Sequence, residues 1–307
     1  MRTGFRNQIT RRKIQIALAG LWLIDGVLQL QPRMFTSAFA RKVLLPASIG
    51  QPVFVNDPMH FIIRLILHQP AVFTALFGLI QLGIGLLILY KSTARIGLIV
   101  SIIWGLLVWY LGEGLGGLFG GHALLLTGAP GASLLYVILA AAVMVPSHEN
   151  KENQNNSVHP SESLVYAWAL LWMGGSILLL IATHGRPDAL AKMVSLMANG
   201  SPRWLAVLNI HFANWLKNLN AAFMIPVIFV YIGIGLMGTL NGRLRLIGVS
   251  CGILLALLFW VFGQSFGTVY SGLATDLNTA PLIVLLGIAV LGTKEHKLNL
   301  FTPAISD

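Results

Sequence analysis

The chain has 307 residues, 56% apolar and 10% charged, against roughly 25% charged in a soluble domain, so most of its surface must meet lipid rather than water. A net charge of +10 does not point to nucleic acid, because the basic residues cluster at the ends of apolar runs, as at Arg11, Arg12 and Lys13 or Arg243 and Arg245. The single cysteine, Cys251, excludes a disulfide, a CxxC redox pair and a cysteine metal site within one chain.

Apolar runs follow in chain order at 14–31, 70–90, 95–112, 132–147, 164–183, 219–239, 246–263 and 280–293. Each is near the roughly 20 residues a helix needs to cross the hydrocarbon, though two are short, and backbone groups must be paired in lipid, so each is predicted to be a helix. The first run has a basic start and a downstream Ala38-Phe39-Ala40, as a cleaved leader does. Its length, the internal Asp25 and a counterpart in the second half favour a retained span. The long connections 32–69 and 184–218 each hold two short helices, 33–45 with 58–68 and 187–198 with 202–218. Asp57-Pro58 and Ser201-Pro202 mark the second starts, and these pieces read as interfacial or re-entrant helices on the outer face. The polar stretch 148–163 (HENKENQNNSVHPSES) reads as a cytoplasmic linker. With the N-terminus inside, the short outer loops 113–131 and 264–279 contain no Lys or Arg, so both termini are predicted cytoplasmic.

An internal repeat organises these runs. At an offset of 151, Ile96-Gly97 meets Ile247-Gly248, Trp109 meets Trp260, Gly112 meets Gly263, and Ala129-Pro130 meets Ala280-Pro281. At 150, Leu21-Trp22 meets Leu171-Trp172 and Gly83-Ile84-Gly85-Leu86 meets Gly233-Ile234-Gly235-Leu236. Leucine matches are cheap between apolar segments, whereas Trp, Gly and Pro mark fixed packing and turns. The expected fold class is an all-α integral membrane protein of about eight transmembrane helices in two parallel four-helix repeats, 1–147 and 164–307.

Ionisable groups inside spans are costly and are candidate functional residues. Asp25 lies on the first span and Glu113 at the outer end of the third, the expected catalytic pair; Gln29 and Gln81 add polar groups nearby. His60, Arg64 and His68 recur every four residues along one strip, and Arg64 and His68 are expected to line one outward-facing substrate or quinone pocket with Gln29 and Gln81; His60 and His211 are the cofactor candidates, with His211 placed to face His60 or His68 across the repeat. Such facing histidines would be needed for haem, but no spacing fixes a pair. Asp25 aligns with Gly175, Gln29 with Leu179, His68 with Asn218 and Glu113 with Gln264, so the first half keeps the more polar residue each time. A site in the first half and a scaffolding second half follow. The plainer readings stay open: Asp25 as a helix–helix hydrogen bond, Glu113 as a solvated carboxylate, and the His60 strip as an interfacial helix reaching towards headgroups.

The segment 69–90 (QPAVFTALFGLIQLGIGLLILY), then Thr93-Ala94-Arg95-Ile96-Gly97, with Gly20-Leu21-Trp22-Leu23-Ile24-Asp25-Gly26 before it, resembles the DoxX/DoxD superfamily of four-helix membrane proteins. Gln81 stands where many members have Glu. The resemblance implies a membrane subunit of a quinone-linked oxidoreductase, including the thiosulfate:quinone type, in the plasma (inner) membrane. Asp25, Gln29, Gln81 and Glu113 would then meet a quinone, and Arg64, Arg203 or Lys217 would attract the anion. A further membrane or extracytoplasmic subunit, or a bound cofactor, would handle the electrons. Two other classes remain: a small-solute transporter or channel, and an assembly scaffold meeting its partner through Gly-rich faces around Gly83, Gly85, Gly233 and Gly235.

Overall fold

The computed structural model describes residues 11–144, 163–199 and 201–293, all in helices, turns and loops. The expected linker therefore lies outside the described residues, save Ser163, which opens a helix. In chain order the helices are α1 (Arg11–Gln29), α2 (Leu45–Ser48), α3 (Val53–His68), α4 (Pro70–Leu89), α5 (Ala94–Leu111), α6 (Ala132–Met144), α7 (Ser163–Thr183), α8 (Pro187–Met197), α9 (Arg203–Lys217), α10 (Met224–Thr239), α11 (Arg243–Phe262) and α12 (Thr279–Leu291).

Five of them, α4, α5, α7, α11 and α10 with its preceding turn, are long and apolar enough to cross a membrane, which makes this an integral membrane protein. Their sequences show why. On α4, Val72, Leu76, Leu79 and Leu86 form one exposed apolar face, while Thr74, Gly78, Gln81, Ile84 and Ile88 are buried on the other. A helix that is apolar all round, with its small and polar residues turned inwards, is built for lipid. The helix α1 is 19 residues long but carries three basic residues in its first turn and Asp25. The first turn has a structural use: Arg11 donates to the carbonyls of Val143 and Met144, and Arg12 to those of Ile88 and Leu89. These are the orphan carbonyls that end α6 and α4.

Helices pair as α1 with α4 and α7 with α10, as α5 with α6 and α11 with α12, and as α4 with α5 and α10 with α11. The two sets join through α6, α7, α12 and α1 over one continuous core that includes Trp22, Tyr136, Trp168 and Trp172. Close approach depends on Gly26, where a Cβ would stand 2.9 Å from the backbone nitrogen of Leu82 on α4. Gly26→Val should therefore destabilise the protein by about 1–3 kcal/mol, read as a lower thermal unfolding midpoint in detergent. An unchanged midpoint would mean that α1 and α4 do not touch there.

The connections depart from expectation in two places. The predicted helix 33–45 is broken into a 3-10 turn, Pro32–Phe35, a π turn, Ala40–Leu44, and α2. The helix expected to begin at Pro58 begins instead at Val53, after Pro52, and Pro58 lies inside it. Proline within a helix frees the carbonyl four residues earlier. Here that carbonyl, on Phe54, accepts a hydrogen bond from the Tyr110 hydroxyl of α5.

The helices α6 and α12 have 13 residues each, a length of about 20 Å against a hydrocarbon core of about 30 Å. The chain ahead of each is drawn inside the protein: Ala123, Leu124, Leu125 and Leu126 are buried before α6, and Ala274 before α12. Irregular backbone of this kind is tolerated only where protein or a cavity surrounds it. These two buried loops position the candidate site.

Candidate functional site

A cavity of about 380 Å³ opens among α1, α4, α5 and α6, closed on one side by the segment 39–66 and on another by Thr275 and Asp276 from the loop before α12. Its walls are mostly apolar and aromatic, with Trp22, Phe73, Phe77 and Trp104 among them. Phe77 and Trp104 lie in ring contact, their centroids 5.5 Å apart.

Four of the residues singled out from the sequence line this one cavity: Asp25, Gln29, Gln81 and Glu113. Asp25, 2% exposed, accepts a hydrogen bond from the Tyr136 hydroxyl at Oδ2. Glu113 Oε1 accepts from the Ser133 backbone N–H at 3.0 Å and from the Ser133 hydroxyl at 2.9 Å, so it closes the first turn of α6. Asp276 accepts from the Asn278 backbone N–H at 2.6 Å and from the Thr275 hydroxyl at 2.7 Å. Burial, then the nearby charge of Asp276, pushes the Glu113 carboxyl from 4.5 up to about 8 against the opposing bonds from Ser133. Burial also raises Asp276, opposed by Thr275 and Asn278.

What remains unpaired is informative. Asp25 Oδ1, Gln29 Nε2, Gln81 Oε1, Trp104 Nε1 and Glu113 Oε2 are all buried without a hydrogen-bond partner, and all belong to residues lining the cavity. Each such atom costs about 1–3 kcal/mol when left unmade. Five convergent orphans in an apolar chamber match a site whose partner is a ligand. Among the described residues, no Lys, Arg or His lines the cavity.

The remaining sequence candidates lie elsewhere. Ile62 and Ile66 of α3 face the cavity, and residues two positions away on a helix point to nearly the opposite side. Arg64 and His68 are accordingly exposed, and half-buried His60 lies with Nε2 3.2 Å from the Ser48 hydroxyl. His211 is exposed on α9, which packs on α8 and α11, while α3 packs on α2, α4 and α5. The helices that carry His60 and His68 on one hand and His211 on the other thus pack against different neighbours. Of the Gly-rich faces, Gly85 is spent on α1, where a Cβ would be 3.0 Å from the Ala19 carbonyl, and Gly235 on α7, 3.2 Å from that of Ala169; Gly83 and Gly233 are open.

Tyr136, Trp104, Ser133 and Asp276 join the site without having stood out in the sequence. The first two read as ordinary aromatic residues of apolar runs. Asp276 is one of only ten acidic residues, in a loop without Lys or Arg, and that scarcity was its available signal.

The aligned positions of the second half are filled. Gly175, opposite Asp25 in the alignment, receives the Leu125 side chain, whose Cγ would lie 2.8 Å from a Cβ there. Tyr231, aligned with Gln81, packs between Trp172 and Phe259 at centroid distances of 5.4 and 6.0 Å. Gln264, aligned with Glu113, likewise closes the first turn of α12, accepting from the Ala280 N–H at 3.1 Å and donating to the Thr279 hydroxyl at 2.9 Å. Leu125 and Asp276 are themselves 151 positions apart. Each buried loop crosses to the other half: Leu125 plugs one side, and Asp276 brings a carboxyl to the other.

The geometry defines a class: a polytopic helical membrane protein with an aromatic-walled cavity lined by residues that carry unpaired polar groups. No family model matches the chain, and neither does any curated protein or solved structure.

Proposed function

We propose that this chain is the quinone-binding membrane subunit of an oxidoreductase, with the binding pocket in the first half. The observation that carries the reading is that five buried polar atoms without a protein partner belong to residues lining one apolar, aromatic-walled cavity of about 380 Å³. A quinone head is a flat ring with two carbonyl acceptors and an apolar tail. Gln29 Nε2 and Trp104 Nε1 are N–H donors without partners, and Glu113, protonated near neutral pH, adds an O–H donor. Aromatic walls suit the ring, and the volume falls within the usual range of ligand pockets.

In this reading the chain consists of two parallel four-helix repeats passing the plasma (inner) membrane eight times, with both ends cytoplasmic. The offsets of 150 and 151, the matched helix pairing and the reciprocal loop crossing support it. A cofactor or partner subunit would supply the electrons; the residues here bind, orient and protonate. The narrower thiosulfate:quinone assignment comes from the DoxX/DoxD resemblance. A sulfur anion would meet Arg64 on the exposed side of α3, because three carboxyl groups and no base surround the cavity.

A second reading, a proton-coupled carrier of a cationic or neutral solute, rests on those same three carboxyls without a basic partner. One experiment separates the two. The protein is purified in mild detergent, its bound lipids are extracted for quinone, and short-chain ubiquinone and menaquinone analogues are titrated against tryptophan fluorescence. Saturable quenching with roughly one quinone per chain is expected. No quenching by either analogue would sink the quinone reading, and solute uptake by proteoliposomes that is lost in Asp25→Asn would install the carrier.

A further inference from the structure

A second cavity, about 300 Å³ and more polar than the first, adjoins it at the end of the bundle where α5 leads into α6. Glu113 and Asp276 line both chambers, so their carboxyls form the shared wall. Gln51 and Asn278 add polar side chains, and exposed His122 stands at the rim, where the cavity meets solvent. Gln51 is 8% exposed, and its Oε1 has no protein partner. An unpaired acceptor in a polar chamber of this size is a seat for water.

The other end of the site is sealed. Beyond Asp25 towards the start of α1, Trp22, Leu18 and Ile14 are buried with Ile84, Leu98 and Leu139 in one apolar cluster. Trp22 Nε1 is occupied by the Ser101 hydroxyl at 2.9 Å. Among the described residues, the polar approach to the site is from the Glu113 and Asp276 side.

We infer that this polar cavity is the proton port of the site, so that Asp25 exchanges protons with the solution at the α5–α6 end through Glu113 and Asp276. The inference rests on the first cavity being a binding site, though it needs no particular ligand. Among the described residues, the titratable groups facing Asp25 are Tyr136 from α6, Glu113 from the end of α5 and Asp276 from the loop before α12; His122 lies at the mouth, and no Lys or Arg of those residues lines either chamber. In each transfer a carboxylic O–H gives its proton to a neighbouring water or carboxylate oxygen and is refilled from the solution side. No other bond is made or broken. Glu113, held at about 8, is protonated at neutral pH yet close enough to titration to release and regain a proton.

The test is hydrogen–deuterium exchange at the Asp25 carboxyl, followed by an infrared carbonyl band that disappears in Asp25→Asn. The port is blocked after folding: His122→Cys is placed in a Cys251→Ser background, since Cys251 is exposed, and labelled with a bulky maleimide. Labelling should slow the exchange by about tenfold or more relative to the unlabelled protein. Glu113→Gln should slow it too, and Gln264 already makes the equivalent helix-closing bonds, so that variant is expected to fold. Equal rates with and without the label overturn the port, as does the absence of any Asp25-dependent band at every pH sampled. Quinone titration of the same samples keeps the two ideas apart. Slowed exchange without quinone binding leaves the port standing and removes the quinone; intact quinone binding with unslowed exchange does the reverse.

Discussion

The Gln29→Leu/Trp104→Phe double variant is expected to bind a short-chain quinone about 100-fold more weakly than the parent chain and to unfold at a higher temperature. The two changes remove buried N–H donors, without a protein partner, from two residues that line the cavity. Each hydrogen bond to a ligand carbonyl, formed where water is excluded, is worth about 1.4 kcal/mol, or a factor of ten, and the two sites lie on different helices. Stability moves the other way, because an unmade buried donor is a cost to the empty protein that Leu and Phe do not carry. Phe in place of Trp104 retains the ring contact with Phe77. Binding is read by fluorescence quenching of the remaining tryptophans or by equilibrium dialysis, and stability by thermal unfolding in the same detergent. Weaker binding together with a lower unfolding temperature would mean structural damage. Unchanged affinity would mean that neither donor meets the ligand.

How much of this was legible beforehand differs between fold and site. Helix type and approximate position follow from unbroken apolar runs, and α4, α7 and α9 lie close to where those runs and their prolines put them. The short runs at 132–147 and 280–293 were visible in the sequence, but hydropathy reports only that a segment is apolar, so it did not show that α6 and α12 have 13 residues with buried loops ahead of them. Asp25, Gln29, Gln81 and Glu113 stood out because polar groups are rare in such runs, and they meet in one cavity. Arg64, His68 and His211 stood out for the same reason but face outwards, because a four-residue spacing fixes a strip on α3 without saying which way the helix is turned. Asp276 was hidden by distance along the chain. Only the crossing of the two loops, with Leu125 against Gly175 and Asp276 beside Asp25 and Glu113, brings it into the first half. The second half is therefore part of the site.

Raising the pH should destabilise the protein, with Glu113 responsible for a large part of the change. Its carboxyl titrates near 4.5 when the chain is unfolded and at about 8 in the folded protein. Between those values the folded state holds a proton that the unfolded state has released, so unfolding is favoured as pH rises. Below the lower value both states are protonated and the group is silent; above the upper value the whole penalty is felt. The full shift corresponds to a loss of roughly 2–4 kcal/mol once partial solvent access is allowed for. Glu113→Gln removes the ionisation and keeps the geometry, since an amide oxygen can accept from the Ser133 N–H as Gln264 accepts from that of Ala280. Its unfolding temperature should match the parent near pH 5 and exceed it above pH 8. A shallow downward slope should persist from Asp276, whose carboxyl is raised in the same sense. A parent protein whose unfolding temperature is flat or rises from pH 5 to 8, with Glu113→Gln superimposed on it, would show that Glu113 is ionised and solvated throughout. In that case it would be neither a hydrogen-bond donor to the cavity at neutral pH nor a store for its protons.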